Sequence, residues 1–135
     1  MLKSLLSISL VAATTVTLIN FPIAKATANS RETCSQNSES DGQFYRDTGV
    51  TALTREGAIS RLRRAEFHFA CSKNEEKLAE VRTILGNVNQ IDFAKNRRVR
   101  LEQLRAFMAA VKEAGHEHAI PDIQARIKAI ESLRD

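Results

Sequence analysis

A chain of 135 residues is the size of one domain rather than two, and it is long enough to bury a hydrophobic core without a metal. One Tyr, no Trp and six Phe, set among many Ala, Leu, Ile and Arg, favour helices over strands. The formal net charge of +4 falls to +2 once the first 28 residues are removed, and a charge of +2 does not indicate a protein built as a whole to bind a polyanion.

The first 28 residues have the layout of a secretory signal peptide. A positive start with Lys3 precedes an apolar run over residues 5–19, and two small-x-small cleavage sites end at Ala26 and Ala28. The apolar run is shorter than the roughly 20 residues that span a membrane, so we predict cleavage rather than an uncleaved anchor. The leader removes two lysines and no acid, which leaves 107 residues with a formal charge of +2. We expect a secreted or periplasmic protein without stable membrane insertion.

The chain has two cysteines, Cys34 and Cys71. In an oxidising compartment an even pair in a small exported chain usually forms a disulfide, and we predict that these two residues do so. Residues 29–50 are polar and lack apolar periodicity, so we expect an irregular segment that the bridge holds to the body. The alternatives are two unpaired thiols or a catalytic redox pair, and the C-x-x-C spacing typical of a redox pair is absent.

The remaining residues, 51–135, form the predicted helical domain. Its first helix covers residues 54–71, since apolar residues recur there at helical spacing. The sequence from Ser72 to Glu75 fits a capping box, which predicts that Ser72 begins the second helix. Gly86 and the residue after it then end this helix.

Two further helices complete the predicted domain. Asn89 caps the third, which continues until Gly115 ends it. The fourth has the cleanest amphipathic pattern in the chain, with Pro121 in its first turn and an apolar face formed by Ile120, Ile123, Ile127 and Ile130. Helices of this length are unstable alone, so their apolar faces must pack together. The sequence therefore predicts an all-α fold, a small four-helix, mostly antiparallel bundle preceded by the signal peptide and the irregular segment.

Two groups of arginines give the chain its most one-sided charge. A surface of this kind docks an anionic partner, such as an acidic protein, phospholipid head groups or a cell-wall polymer. The alternative is a solvated helix face on which the arginines lie along apolar neighbours. We expect no nucleic-acid partner, because no aromatic residues alternate with the arginines to stack on bases. The candidate partner-binding residues are Arg61, Arg64, Arg97, Arg98, Arg100 and Arg105.

Metal binding and catalysis find little support in the sequence. His116 and His118 supply two ligands, and a third, such as His68, would have to come from another helix. We therefore predict no metal site and no cofactor. The sequence contains no G-x-S-x-G, H-E-x-x-H or glycine-rich phosphate loop, and it assigns no catalytic residue.

These observations predict an exported, non-enzymatic helical protein that acts by binding. It would be a subunit of an envelope complex or a chaperone-like protein, and its Arg-rich helix face would dock an anionic or protein partner. The alternative function is a small secreted enzyme or metal-binding protein that uses its Arg and His side chains.

Overall fold

The computed structural model describes residues 33–134. In this range the chain forms α1 (Ser38–Val50), α2 (Arg55–Cys71), α3 (Glu75–Gly86), α4 (Phe93–Glu113) and α5 (Ile120–Glu131). Short links join the helices, and the links before α4 and α5 each contain one turn of 3-10 helix. The predicted signal peptide, residues 1–28, lies outside the described residues and stays a prediction. None of the helices between residues 33 and 134 has the length and apolarity needed to cross a bilayer.

The predicted all-α fold is confirmed for the described residues, whereas the four-helix bundle is not. Five helices pack in two groups, because α1 and α3 both lie against α2, while α5 lies against α4. The main core belongs to the first group, with Leu62, Phe69 and Val81 as its largest fully buried side chains. The second group buries a smaller apolar seam, in which Val111 and Ile123 are the most enclosed residues.

Residues 38–50, which we predicted to be irregular, form the helix α1. Its buried face consists of small residues, Ser38, Gly42 and Gly49, instead of the apolar residues that reveal an amphipathic helix. A Cβ added to Gly42 would lie 2.7 Å from Cε1 of Phe69, and one added to Gly49 would lie 2.8 Å from Cγ of Leu62. Side chains of α2 thus occupy the space that larger residues on α1 would need. The helix is stabilised by this close approach, which apolar periodicity does not detect.

The start of α2 agrees with the prediction, as do the ends of α3 at Gly86 and of α4 before Gly115, whereas the starts of α3 and α4 differ from it. Thr54 precedes α2, and its Oγ1 accepts a hydrogen bond from the Gly57 amide at 3.2 Å. The predicted capping box at Ser72 is wrong, because Ser72 ends α2 and Asn74 caps α3. Likewise, Asp92 rather than Asn89 caps α4. In both cases another short polar residue lies two or three positions before the true cap, so local spacing alone selects the wrong one.

Two hydrogen-bonding side chains fix the start of α4 to the last residue of α1 and to the link that follows it. Nδ2 of Asn96 donates to the carbonyl oxygens of Val50 and Ala52, both at 2.9 Å. Nη1 of Arg97 donates to the Leu53 carbonyl oxygen at 3.2 Å. These carbonyl oxygens have no hydrogen-bond partner within a helix or strand of the described chain, and the side chains of α4 supply one. The same bonds set the direction in which α4 leaves the core.

The chain then turns back at Gly115, whose φ of 76° lies in the left-handed region that glycine adopts readily. Pro121 occupies the first turn of α5, as predicted, where its missing amide costs no helical hydrogen bond. The apolar face of α5 lies against α4, with Ile123 buried and Ile127 half-buried.

Two further contacts hold the beginning of α1 to the junction of α2 and α3. The sulfur atoms of Cys34 and Cys71 lie at bonding distance, as the sequence predicts. The Glu39 carboxylate accepts hydrogen bonds from Ser72 Oγ, Asn74 Nδ2 and Lys77 Nζ, each at 2.9 Å. The hydrogen bond from the Lys77 ammonium, together with the one from the Ser72 hydroxyl, holds the pKa of Glu39 below its ordinary value.

The close approach of α1 to α2 predicts the effect of adding one methyl group. We expect Gly49→Ala to lower the free energy of unfolding by about 1–3 kcal/mol, since Leu62 is fully buried and has no space to retreat. The matched control is Gly86→Ala at the end of α3, where an added Cβ meets nothing within 4 Å. That control should leave stability unchanged or raise it by up to about 1 kcal/mol. Urea unfolding measures both, and equal effects of the two variants would contradict the packing described.

The lowered pKa of Glu39 predicts a pH-dependent contribution to stability. Because the folded-state pKa is depressed, this contribution is present above the unfolded-state pKa and is lost as the pH falls through the folded-state value. We therefore expect Glu39→Gln to be less stable than the unsubstituted protein at neutral pH. Their unfolding midpoints should converge as the pH drops below about 4. A difference that does not change with pH would show that the carboxylate charge plays no part.

Candidate partner-docking surface

Arg61 and Arg64, which we predicted to bind a partner, hold α2 to α1. Nη1 of Arg61 donates to the Thr48 carbonyl oxygen at 3.0 Å. Nη1 of Arg64 donates to the Tyr45 hydroxyl at 3.2 Å, and its guanidinium lies over the Tyr45 ring, 5.2 Å from the centroid. Both arginines are exposed and contribute to the α1–α2 interface, and their role in binding a partner stays a prediction.

Two of the four candidates on α4 also make contacts with other parts of the protein. Arg97 binds the α1–α2 link through Leu53, as described above. Arg105 pairs with Glu131 on α5, with 2.9 Å between Nη2 and Oε1. Arg105 is more than half exposed, and an exposed pair of this kind contributes little to stability. The ion pair with Glu131 nevertheless directs the Arg105 guanidinium toward α5.

Arg98 and Arg100 are the candidates that face solvent most freely. Both are exposed, and the guanidinium of Arg100 makes one long contact within its own helix, 3.5 Å from Oε1 of Gln103. The six predicted arginines therefore fall into two groups. The side chains of four contact neighbouring segments of the chain, and those of the other two, Arg98 and Arg100, extend from α4 toward solvent.

Arg100 lies between two open hollows. The first, of about 270 Å³, is formed by the α1–α2 link and α4, and its walls include Thr51 and Val99. The second, of about 370 Å³, lies between α4 and α5, and its walls include Leu104 and Arg126. Arg100 belongs to both. We call the residues that line these two hollows the Arg100 surface: Thr51, Asn96, Val99, Arg100, Gln103, Leu104, Arg126, Ala129 and Ile130.

The Arg100 surface combines positive charge with exposed apolar groups. Val99 is 43% exposed and lines the first hollow beside Arg100. The second hollow is lined by the apolar residues Leu104 and Ile130 together with Arg100 and Arg126. A guanidinium beside apolar surface is the combination that protein interfaces favour, since it forms strong hydrogen bonds at an edge from which water is excluded.

Sequence reasoning did not find Arg126. The sequence does indicate that Arg126 lies beside the apolar face of α5, because Arg126 precedes Ile127 and lies four positions before Ile130, both of which belong to that face. What the sequence does not give is the pairing of α5 with the first half of α4, which brings Arg126 and Arg100 to the same hollow.

The histidines do not form one cluster. The rings of His116 and His118 lie 5.9 Å apart between their centroids, in the exposed turn before α5. His68 is buried on α2, where its ring stacks on Tyr45 with 5.5 Å between the centroids. Among residues 33–134, no group of three or more His, Cys, Asp or Glu side chains lies close enough together to hold a metal ion.

Comparison with known proteins supplies no relative from which a role could be transferred. No family model matches the chain, and no curated protein or solved structure matches it. The functional inference therefore rests on the geometry and charge of the chain's own residues, above all on those of the Arg100 surface.

Proposed function

We propose that this chain is an exported, non-enzymatic binding protein whose Arg100 surface docks an acidic segment of a partner protein. The observation that carries the proposal is the position of Arg100 between two hollows that also contain apolar surface. Arginine forms paired hydrogen bonds to carboxylates, and the neighbouring apolar groups bury the hydrocarbon parts of the bound segment. A role as an envelope complex subunit or as a chaperone-like protein fits this surface.

Charge complementarity favours an acidic polypeptide over the other anions. Arg100 and Arg126 both lie on the second hollow, and among residues 33–134 no acidic side chain lines either hollow. A lipid head group or an anionic polymer would use the two guanidinium groups and leave Val99, Leu104 and Ile130 uncovered. A peptide that carries both acidic and apolar residues satisfies both parts of the surface.

Export is supported by two independent features of the chain. The first 28 residues have the order of charge, apolar run and small residues that signal peptidases recognise. Cys34 and Cys71 lie at bonding distance, which is compatible with an oxidising compartment. The protein would then meet its partner in the periplasm or outside the cell.

The docking proposal predicts where a partner makes contact. A photo-crosslinking amino acid at Val99 should capture a protein partner in the native host, and the same amino acid at Ala79, exposed on α3, should not. The affinity of that partner should fall about tenfold or more in the double variant Arg100→Gln with Arg126→Gln, which corresponds to a loss of about 1.4 kcal/mol. Binding should also weaken as salt is added.

The matched control for this measurement removes the same charge from the same helices. Lys112→Gln with Lys128→Gln changes one exposed lysine on α4 and one on α5, and neither residue lines the Arg100 surface. This control should retain most of the affinity. Equal losses in the two double variants would mean that net charge, not this surface, attracts the partner. An unchanged affinity in the arginine variant would remove the proposal.

The export proposal predicts the start of the mature protein. Mass spectrometry of the chain purified from its native host should give an N-terminus at Thr27 or Asn29, since cleavage follows small residues at Ala26 or Ala28. Replacing both alanines by Arg should block processing and leave the precursor. Recovery of the unsubstituted chain from the cytosol with its leader attached would contradict export.

A further inference from the structure

We propose that a groove between α2 and α3 binds a linear molecule that carries a carboxylate at each end of a hydrocarbon chain. This α2–α3 groove has a volume of about 320 Å³, which lies at the lower end of the range for small-molecule sites. Its described walls belong to α2, to the second half of α3 and to the link after α3, and they include no residue of the Arg100 surface. The inference therefore goes beyond the proposed docking of a protein partner and does not depend on it.

The α2–α3 groove runs lengthwise between the two helices. Its lining residues recur at every fourth position of α2 from Arg55 to Arg63, which covers about 12 Å of the helix axis. α3 runs back along α2, because Arg82 of α3 contacts Glu66 in the last part of α2. Beyond the end of α3, Asn89 contacts Arg55 in the first turn of α2. The two ends of the groove are therefore lined by different arginines.

At one end of the groove, two arginines bind the same carboxylate. Nη1 of Arg63 donates to Oε2 of Glu66 at 3.0 Å, and Nε of Arg82 donates to Oε1 at 2.9 Å. The hydrogen bond from Arg82, reinforced by the one from Arg63, holds the pKa of Glu66 below its ordinary value, so Glu66 is ionised at neutral pH. One arginine is enough to neutralise this carboxylate. The second leaves one positive charge in excess at this end.

Arg55 supplies the positive charge at the opposite end. Its Nε donates to Oδ1 of Asn89 at 2.9 Å. The amide oxygen is uncharged, and a guanidinium has further N–H groups on its two terminal nitrogen atoms, so this bond orients Arg55 without neutralising it. Among the described residues that line the groove, Glu66 is the one acid, and the three arginines give these walls a formal charge of +2. A guanidinium held in this way can bind a carboxylate through paired hydrogen bonds.

Between its two charged ends the groove is apolar. Ile59 lies midway between the two lining arginines of α2, and Leu85 and Val88 follow Arg82 on the opposite wall. Gly86 keeps this part open, because a Cβ added to it would meet no atom within 4 Å. A hydrocarbon chain would pack against these apolar side chains, and each CH2 group that leaves water favours binding. A fatty acid would place its methyl end among charged groups, whereas a dicarboxylate matches both ends.

Calorimetric titration of the intact, oxidised protein with decanedioate tests this inference. Decanedioate should bind about tenfold more tightly than its monomethyl ester, which has the same chain and one charge fewer. It should also bind about tenfold more tightly than butanedioate, whose two carboxylates are too close together to reach both ends of the groove and whose chain covers little apolar surface.

Variants at the two ends distinguish binding at two points from general attraction by charge. Arg55→Gln and Arg82→Gln should each weaken the binding of decanedioate about tenfold. Each should also bring its affinity to within about twofold of that of the monomethyl ester, because one carboxylate then has no partner. A variant that merely loosened the fold would weaken both ligands and keep the difference between them. The matched control Arg98→Gln, exposed on α4 and outside the groove, should change the affinity less than about twofold.

Several results would overturn the inference. Equal affinities of the unsubstituted protein for decanedioate and its monomethyl ester would show that one end of the groove binds no carboxylate. Equal losses in Arg55→Gln and Arg98→Gln would indicate diffuse attraction by surface charge, and a protein that binds no decanedioate would remove the site altogether. If Arg55→Gln fails to fold, Arg82→Gln provides the same comparison from the other end, since the Arg82 side chain is 60% exposed.

The two proposals fail separately in these experiments. Arg55→Gln and Arg82→Gln change no described residue of the Arg100 surface, so they should not reduce crosslinking from Val99. Conversely, the double variant Arg100→Gln with Arg126→Gln should retain binding of decanedioate.

Discussion

The close approach of α1 to α2 is the contact on which the other parts of this structure depend. Phe69 and Leu62 fill the spaces left by Gly42 and Gly49, and they are among the largest fully buried side chains of the described core. This packing fixes the link that follows α1, whose carbonyl oxygens receive Asn96 and, at Leu53, Arg97. The direction of α4 follows from those bonds. The position of the Arg100 surface therefore depends on how tightly α1 and α2 pack together.

The sequence predicts those helices whose stability comes from apolar stripes. α2 and α5 lie close to their predicted positions because apolar side chains repeat at helical spacing along each of them. Apolar periodicity does not predict α1, since the buried face of α1 consists of small residues that pack against large side chains of α2. Ser72, which ends α2 instead of beginning α3, donates a hydrogen bond from its hydroxyl group to Glu39, 33 positions earlier. Contacts over such distances are fixed by tertiary structure and leave no local pattern.

For the candidate sites too, the sequence shows which residues are charged, whereas the fold determines which of them lie close together. The sequence correctly marks α4 as rich in exposed arginine, yet it cannot distinguish Arg98, which points to solvent, from Arg97, which binds a backbone carbonyl. Arg126 joins Arg100 only because α5 returns along α4. Arg63 and Arg82 belong to different helices and meet at Glu66 only in the folded chain. Charge is visible in a sequence, whereas the convergence of charges is a property of the fold.

The central claim, that α1 is an integral helix held against α2, is tested most directly by native-state hydrogen exchange of the intact, oxidised protein. We predict that the amides of α1 between Gly42 and Gly49 exchange as slowly as those of α2 between Leu62 and Phe69. Both groups should open in the same cooperative unfolding event. Rapid exchange throughout α1, with α2 still protected, would mean that this segment is irregular and would contradict the account.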